Sequence, residues 1–230
     1  MKVVLFDIDG TLLWTDGAGR RAVQQALEEV FGAPMPQGHE FDGKTDPQII
    51  RELMLRAGVD ESAIAERLPA ALDRYLALLR AELTGLEETH RLFPGIAPLL
   101  DALEAREDVL LGLLTGNIAP GADAKLRAVG LDPDRFRIGA FGSDHASRPE
   151  LPAVARARAE ALLGHAVAGE DVVVIGDTPA DMSCGNGIGA RAIGVATGRY
   201  SVAQLSAYEE GIVFADLSDT AAVMQAILGA

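Results

Sequence analysis

The stretch that decides the fold class is Lys2-Val3-Val4-Leu5-Phe6-Asp7-Ile8-Asp9-Gly10-Thr11. Its apolar run is continuous and rich in β-branched residues, which is typical of a strand covered on both faces. The run ends in two carboxylates, Asp7 and Asp9, and Gly10 then permits a sharp turn. Ligands of open parallel sheets bind beyond the carboxyl ends of the strands, so this acidic strand end is a candidate site.

Similar short apolar runs recur along the chain and alternate with helical patterns. They predict further strands at residues 109–114, 137–141, 172–175, 192–196 and 212–214. The helical patterns cover residues 95–106, 119–129, 151–163 and 179–188. This alternation predicts an α/β fold whose core is a Rossmann-like, doubly wound parallel sheet.

One long stretch interrupts the alternation, because no strand is predicted from about residue 15 to residue 89. Amphipathic helices are predicted there instead, at residues 20–31, 47–57 and 61–83. Segments rich in turn-forming or polar residues, 15–19 and 84–95, flank the stretch. We therefore expect an all-helical cap domain at 15–89, inserted into an α/β core formed by 1–14 and 90–230.

Composition restricts the partners. The 230 residues include 20 Lys and Arg against 34 Asp and Glu, a net charge of −14, which argues against a nucleic-acid or anionic membrane partner. A single cysteine, Cys184, excludes an intrachain disulfide. A carboxylate already at position 7 leaves no room for a signal-peptide apolar region, so a cytoplasmic location is expected.

The first motif, Asp7-Ile8-Asp9-Gly10-Thr11, places two carboxylates two residues apart, on the same side of an extended chain. Carboxylates this close repel each other and invite a hard divalent cation, most naturally Mg²⁺. One carboxylate can then act as a nucleophile while the other transfers protons. The alternative is an ordinary Asp-Gly turn at a strand end.

The second motif, Thr115-Gly116-Asn117, follows the second predicted core strand and precedes a helix. A hydroxyl and several free backbone N–H groups at such a turn form a phosphate cradle. The alternative is a helix cap and turn without a ligand.

The third motif adds two carboxylates, Asp177 and Asp181, after the fourth predicted strand. Asp181 alone is also explained as a first-turn charge that interacts with the helix dipole. The three motifs all follow predicted strands, and crossover connections bring such strand ends to one edge of a sheet. We therefore expect the three motifs to form one site.

With these motifs and the helical insertion after the first of them, the chain resembles the haloacid dehalogenase superfamily over essentially its whole length. The specific similarity is to its phosphoglycolate-phosphatase-like branch. The resemblance implies that Asp7 attacks phosphorus and that Asp9 transfers protons. Mg²⁺ would be held by the Asp7 carboxylate, the Asp9 backbone carbonyl and Asp177, with Asp181 as a ligand or behind the ligands. Thr115 would hold the phosphoryl oxygens.

The N–H groups beside Thr115, at Gly116 and Asn117, would share this task. The family usually places a lysine before the fourth strand, but the three lysines of this chain, Lys2, Lys44 and Lys125, lie elsewhere. Arg148 stands at that position. An arginine is always charged and can bind phosphate with two donors, so we expect it to take the catalytic role of the lysine. The alternative is an ordinary surface arginine.

Lys44 is the single lysine of the predicted cap and lies in the turn Phe41-Asp42-Gly43-Lys44-Thr45-Asp46. It is a candidate for binding an anionic or hydroxylated substrate. The same turn is also explained as a helix start with Asp46 as N-cap.

The motifs and the family resemblance together imply a Mg²⁺-dependent phosphatase that hydrolyses a small phosphorylated metabolite through an aspartyl phosphate, similar to phosphoglycolate phosphatases. One alternative is a phosphosugar mutase similar to β-phosphoglucomutase. Such mutases carry an arginine in the cap turn where Asp46 stands, and Asp46 would repel a second phosphate. Another alternative is a non-catalytic binding protein on the same scaffold.

Overall fold

The computed structural model describes residues 1–85, 89–208 and 211–229. In chain order the strands are β1 (Lys2–Phe6), β2 (Leu13–Trp14), β3 (Arg91–Leu92), β4 (Val109–Leu114), β5 (Ile138–Ala140), β6 (Val172–Gly176), β7 (Arg191–Val195) and β8 (Ile212–Phe214). The helices are α1 (Ala18–Phe31), α2 (Asp46–Arg56), α3 (Glu61–Gly85), α4 (Ile96–Glu104), α5 (Ala119–Ala128), α6 (Leu151–Leu163), α7 (Pro179–Cys184), α8 (Val202–Leu205) and α9 (Thr220–Leu228). Each strand predicted from the sequence is present, and the insertion between β2 and β3 is helical.

Six of the strands form one parallel sheet in the order β5-β4-β1-β6-β7-β8. Strand β1 lies between β4 and β6, and its last residue, Phe6, aligns with Leu113 on one side and Ile175 on the other. The carboxyl ends of these three strands therefore meet at one edge of the sheet. This topology confirms the predicted doubly wound α/β core.

The continuous apolar run of β1 is explained by burial on both faces of the sheet. Val4 and Phe6 pack in the hydrophobic cluster that contains helix α4, whereas Val3 and Leu5 pack in the cluster that contains helix α6. All four side chains are fully buried. Burial of an apolar side chain of this size stabilises the fold by about 1.5–3 kcal/mol.

Helices α1, α2 and α3, here called the helical insertion, have a hydrophobic core separate from the two faces of the sheet. Leu27, Ile50 and Tyr75 are among its fully buried side chains. The cluster also includes Ile118, just before α5, and alanines of α5 pack against it. The insertion therefore packs on helix α5 of the sheet domain.

The chain leaves and re-enters the sheet domain through a short antiparallel ribbon, which the sequence did not predict. Leu13 pairs with Leu92, and Trp14 pairs with Arg91. The second predicted junction, 84–95, includes residues 86–88, which lie outside the described residues. In the described part of the chain, no helix has the length and apolar character needed to cross a membrane.

Candidate active site

A cavity of about 500 Å³ lies at the carboxyl ends of β1, β4 and β6 and extends beneath the helical insertion. Most of the residues predicted for the site line it: Asp7, Asp9, Lys44, Thr115, Gly116, Asn117, Arg148 and Asp177. Asp181, the remaining predicted residue, is buried behind this wall. The structure thus brings the three motifs together, as their positions after predicted strands implied.

Asp7 continues the line of β1 and is held by a backbone hydrogen bond from its N–H to the carbonyl of Ile175, at 2.9 Å. Its side chain is only 8% exposed. Burial raises the pKa of Asp7 to about 6; Arg148 opposes this shift, and the carboxylates of Asp181 and Asp9 add to it. The carboxylate at the predicted nucleophile position is therefore buried from solvent and lies close to the charges of Arg148, Asp181 and Asp9.

Asp7, Asp177 and Asp181 form a compact carboxylate cluster. One oxygen from each lies within 4.8 Å of the others. Burial and the repulsion of Asp181 and Asp7 raise the pKa of Asp177 well above its usual range. Oxygen donors that crowd in this way are the ligand set that Mg²⁺ prefers, and a divalent cation would relieve their repulsion.

The Asp177 carboxylate lies so close to two glycines that neither position has space for a side chain. A Cβ built at Gly10 or at Gly198 would collide with the Asp177 carboxylate. Thr11 donates its hydroxyl to this carboxylate at 3.2 Å. The Asp177 side chain is thus fixed beside the turn of the first motif, and the donor set fits a metal at this edge of the sheet.

Asp181 has a structural function that its sequence position also explained. It is the third residue of α7 and forms a capping box with Thr178, whose N–H and hydroxyl donate to Asp181 Oδ2 at 3.0 and 2.6 Å. Asp181 Oδ1 accepts from Arg148. Hydrogen bonds therefore engage both carboxylate oxygens of Asp181.

Arg148 begins the 3-10 turn Arg148–Glu150 and is 4% exposed, so it is not a surface arginine. Its Nη2 contacts Asp7 Oδ1 at 3.2 Å and also pairs with Asp181. Burial alone would lower the pKa of Arg148, but the two carboxylates raise it overall. Its buried Nε has no partner among the described residues.

The second motif is fixed to the end of the sheet. The N–H of Thr115 donates to the carbonyl of Ala140 at 3.0 Å. Thr115 Oγ1 accepts from Asn117 Nδ2 at 2.8 Å and from the Asn117 N–H at 3.3 Å. The hydroxyl therefore keeps its own proton for another acceptor.

Asp9 has different surroundings from Asp7, although only Ile8 separates them. Its side chain is 44% exposed, and its Oδ2 accepts from Asn117 Nδ2 at 2.7 Å and from Lys125 Nζ at 2.6 Å. The Asp9 carboxylate is not part of the cluster that Asp7, Asp177 and Asp181 form.

Lys125 is the main residue that sequence reasoning missed. The family pattern places its lysine where Arg148 stands, and nothing in that pattern points to Lys125. A signal was present, because Gly121, Ala122, Lys125 and Leu126 follow helical spacing and form the buried face of α5. A lysine on such a face needs a buried partner.

Lys44 lines the cavity but already has partners within the helical insertion. Its Nζ contacts Glu52 Oε2 at 2.6 Å and lies 3.4 Å from His39 Nε2. The structure thus places Lys44 at the site without leaving its charge unpaired.

The prediction that Asp46 is the N-cap of its helix was wrong. Thr45 is the N-cap and accepts from the N–H of Gln48 at 3.2 Å. Asp46 instead joins the insertion to the second motif: its N–H donates to the carbonyl of Gly116, and its Oδ2 accepts from the N–H of Ile118, both at 2.8 Å. Burial raises the pKa of Asp46 to about 6, although Lys125 opposes this shift.

Other cavity residues had no decisive sequence signal. Trp14 is 40% exposed in the cavity wall and is not a core aromatic. Arg199, in the loop after β7, donates to Asp42 of the insertion at 2.7 Å. Cys184 is buried in the hydrophobic cluster that contains helix α6, and burial raises the pKa of its thiol to about 12.

Known proteins share this architecture. The family model for haloacid dehalogenase-like hydrolases matches residues 1–189. A 5'-nucleotidase of Pseudomonas aeruginosa is 30% identical over 227 residues, which cover 96% of this chain and 95% of the relative. The crystal structure of CbbY from Rhodobacter sphaeroides in complex with phosphate superposes with a TM-score of 0.70 and 23% identity, covering 95% of this chain and 96% of that chain.

A β-phosphoglucomutase structure from Clostridium difficile has a TM-score of 0.73 at 14% identity, covering 100% of this chain and 98% of that chain, which shows a shared fold alone. The family match spans the site motifs described above, from Asp7 to Asp181. The chain therefore belongs to the haloacid dehalogenase-like hydrolases, and it is an enzyme of the phosphoric monoester hydrolase class.

Proposed function

We propose that this chain is a Mg²⁺-dependent phosphatase that hydrolyses a small phosphorylated metabolite through an aspartyl-phosphate intermediate. The observation that carries the proposal is the pair of environments at the end of β1. Asp7 is buried beside Arg148 and Asp177, whereas Asp9, two residues on, opens into the same cavity. A nucleophile and a proton carrier need this difference.

We assign residues 15–89 to a cap domain and residues 1–14 and 90–230 to the catalytic core. The separate hydrophobic core of α1–α3 supports this division. The cap covers the cavity through Thr45, whose hydroxyl donates to the carbonyl of Ala146 at 2.6 Å, and through Asp46. A covered site excludes water, which strengthens the electrostatic interactions inside it.

In the first step, an Asp7 carboxylate oxygen attacks phosphorus. The bond from phosphorus to the leaving-group oxygen breaks, its electron pair stays on that oxygen, and Asp9 supplies the proton. In the second step, a water oxygen attacks the phosphorus while Asp9 takes the water proton. The bond to Asp7 then breaks, which restores the carboxylate and releases inorganic phosphate.

The phosphoryl oxygens would be held by the Thr115 hydroxyl, the N–H groups at Gly116 and Asn117, and Arg148. The unpaired Nε of Arg148 supports its part in this role. Lys44 would contact the remainder of the substrate from the cap. Positioning and charge neutralisation of this kind are most of what phosphoryl transfer requires.

The residues that would hold Mg²⁺ are Asp7, Asp177 and the backbone carbonyl of Asp9, with Asp181 behind them. Mg²⁺ supplies the positive charge that lets a dianionic ester approach an acidic site. The chemistry of the carboxylate cluster supports this cofactor.

The substrate class is that of a small phosphate monoester. The nucleotidase relative makes nucleoside monophosphates the first compounds to screen, and the complex of a CbbY variant with xylulose-(1,5)bisphosphate adds sugar phosphates, together with phosphoglycolate. A mutase reaction is not favoured, because the carboxylate of Asp46 occupies the cap turn near the site.

The test uses p-nitrophenyl phosphate with the purified protein, with Mg²⁺ and with EDTA. We expect turnover that requires Mg²⁺ and that falls by at least about 10³-fold in Asp7→Asn. The matched control is Asp73→Asn, which removes an exposed carboxylate from α3 and leaves turnover unchanged. Activity that persists in Asp7→Asn, or that EDTA leaves intact, would contradict the proposal.

A further inference from the structure

Lys125 is a buried cation close to the reacting groups, and the mechanism above gives it no function. Its side chain is 5% exposed, and its Nζ lies 2.6 Å from Asp9 Oδ2 and 2.7 Å from Asn117 Oδ1. A lysine rarely occupies a buried helix face without a specific partner, because burial of its charge is costly. Its contacts therefore indicate what it does.

Asn117 fixes the geometry of the contact. Its Oδ1 accepts from Lys125, so its Nδ2 must point the other way, where it donates to Asp9 Oδ2 at 2.7 Å and to Thr115 Oγ1 at 2.8 Å. Lys125 and Asn117 thus converge on one oxygen of Asp9. Within residues 1–85, 89–208 and 211–229, both side-chain donors to this carboxylate, Lys125 and Asn117, bind Oδ2.

This asymmetry leaves Asp9 Oδ1 as the oxygen able to carry a proton. A carboxylate free to rotate would present either oxygen to the cavity, and only some of its rotamers would reach a leaving group. Two donors on Oδ2 restrict that rotation. Pre-organisation of this kind removes an orientational cost from proton transfer.

The fold makes space for the Lys125 ammonium. A Cβ built at Gly19 of α1 would lie 3.4 Å from Lys125 Nζ and 3.8 Å from the Tyr75 hydroxyl. Lys125 also interacts with the buried carboxylate of Asp46. The ammonium is therefore surrounded by the first motif, the second motif and the helical insertion.

Lys125 and Arg148 serve different carboxylates. Arg148 contacts Asp7 and Asp181, and Lys125 contacts Asp9. Lys125 therefore does not pair with Asp7, the carboxylate proposed as the nucleophile. It lies beside the proton carrier.

We propose that Lys125 is a positioning residue that, together with Asn117, orients the Asp9 carboxylate for proton transfer to and from the substrate oxygen. The proposal rests on the proposed function of Asp9, and it assigns to Lys125 no contact with the substrate.

The test compares two esters of nearly equal shape, phenyl phosphate and p-nitrophenyl phosphate. Phenolate is the more basic leaving group and needs a proton more than p-nitrophenolate does. In Lys125→Met we expect kcat/KM to fall about 10-fold or more for phenyl phosphate and about threefold or less for p-nitrophenyl phosphate. A loss of packing alone would lower both values equally.

A double-mutant cycle tests whether Lys125 acts through Asp9. Addition of Lys125→Met to Asp9→Asn should change kcat/KM by less than about twofold, since the carboxylate to be oriented is already absent. Lys125→Arg keeps the charge but displaces the donor, so it should recover part of the phenyl phosphate activity. Lys125→Gln is the second variant if Lys125→Met does not fold, and the same ratio of esters is measured.

The matched control is Lys2→Met, which removes a lysine paired with Asp171 at 2.7 Å, at the opposite end of β1 from the cavity. Both esters should be turned over at the wild-type rate. Equal losses for the two esters, no loss, or a further loss in the Asp9→Asn background would each overturn the proposal. If instead Asp7→Asn retains activity, the proposed function fails and not merely the role of Lys125.

Discussion

Asp7 and Asp9 differ more than their two-residue spacing suggests. The Asp7 side chain is 8% exposed and shares the Arg148 guanidinium with a second carboxylate, Asp181. The Asp9 side chain is 44% exposed and shares the Lys125 ammonium with a neutral amide, Asn117. One short motif thus supplies a buried carboxylate that lies close to another carboxylate, and a more exposed carboxylate that is paired with one cation.

The difference shows that two carboxylates of one short motif can have different charged neighbours. Removal of Arg148 leaves several buried carboxylates without a counter-charge. Removal of Lys125 leaves Asp9, which already faces solvent, and Asp46, which keeps its hydrogen bond from the Ile118 N–H. The comparison therefore makes predictions about stability as well as about activity.

The largest effect is expected from Arg148→Met. Breaking a buried ion pair by removal of one partner costs about 3–5 kcal/mol of unfolding free energy. Loss of a donor to the phosphoryl group should also lower kcat/KM by about 10²-fold or more. Urea unfolding in EDTA, compared with Lys125→Met, checks the asymmetry. Equal destabilisation by the two substitutions would show that the two sides do not differ as described.

A smaller effect is expected from Gly116→Ala, which disturbs the turn beside Asn117 on the Asp9 side. A Cβ at Gly116 would collide with the carbonyl oxygen of Lys44, so the helical insertion must shift from the second motif. Overpacking of this kind costs about 1–3 kcal/mol. We expect faster hydrogen exchange at the N–H groups of Asp46 and Ile118. Gly187→Ala, where a Cβ meets no atom within 4 Å, is the control; equal exchange in the two variants would contradict this reading.

The smallest effect concerns the pH dependence of stability through Asp46, the second carboxylate near Lys125. Burial raises the pKa of Asp46 to about 6, so the folded protein holds this proton more tightly than the unfolded chain does. The contribution of Asp46 to stability is therefore full below about pH 4 and is lost as the pH rises through 6.

Because asparagine does not titrate, Asp46→Asn removes this loss of stability with rising pH. Between pH 5 and 7, the unfolding free energy of the wild type should fall by roughly 1 kcal/mol relative to the variant. Urea unfolding of both proteins at several pH values measures this difference. Proton binding by Asp7 and Asp177 cancels in it, because both proteins contain these residues. A difference that is constant across this range would show that Asp46 is not held as described.

The sheet and the grouping of the motifs could be predicted because both depend on local patterns. Apolar runs such as that of β1 indicate strands covered on two faces, and Asp7, Thr115 and Asp177 follow strands that parallel topology aligns. The helical insertion was predictable from its amphipathic periodicity.

The pairing of charges across the fold was not predictable. That Arg148 contacts Asp7 and Asp181, and that Lys125 contacts Asp9, depends on how α5 and the turn before α6 pack, which no local pattern encodes. The role of Asp46 was misassigned for a similar reason, since its acceptor function depends on the N–H of Ile118, 72 residues away in the chain. The two-residue strands β2 and β3 are too short to produce a periodic signal.

The hydrophobic cluster of the helical insertion includes Ile118 and contacts Ala124 and Ala128, which belong to the sheet domain. If α1–α3 were exchanged between two relatives by joining the chains only at the two junctions, this contact would be lost. Apolar surface would then be exposed on the transferred helices and on the protein that receives them. A functional chimera of this enzyme should carry its own α5 together with α1–α3. Such a chimera would exchange Lys125 together with the helical insertion, so the residue proposed to orient Asp9 would be inherited with the cap.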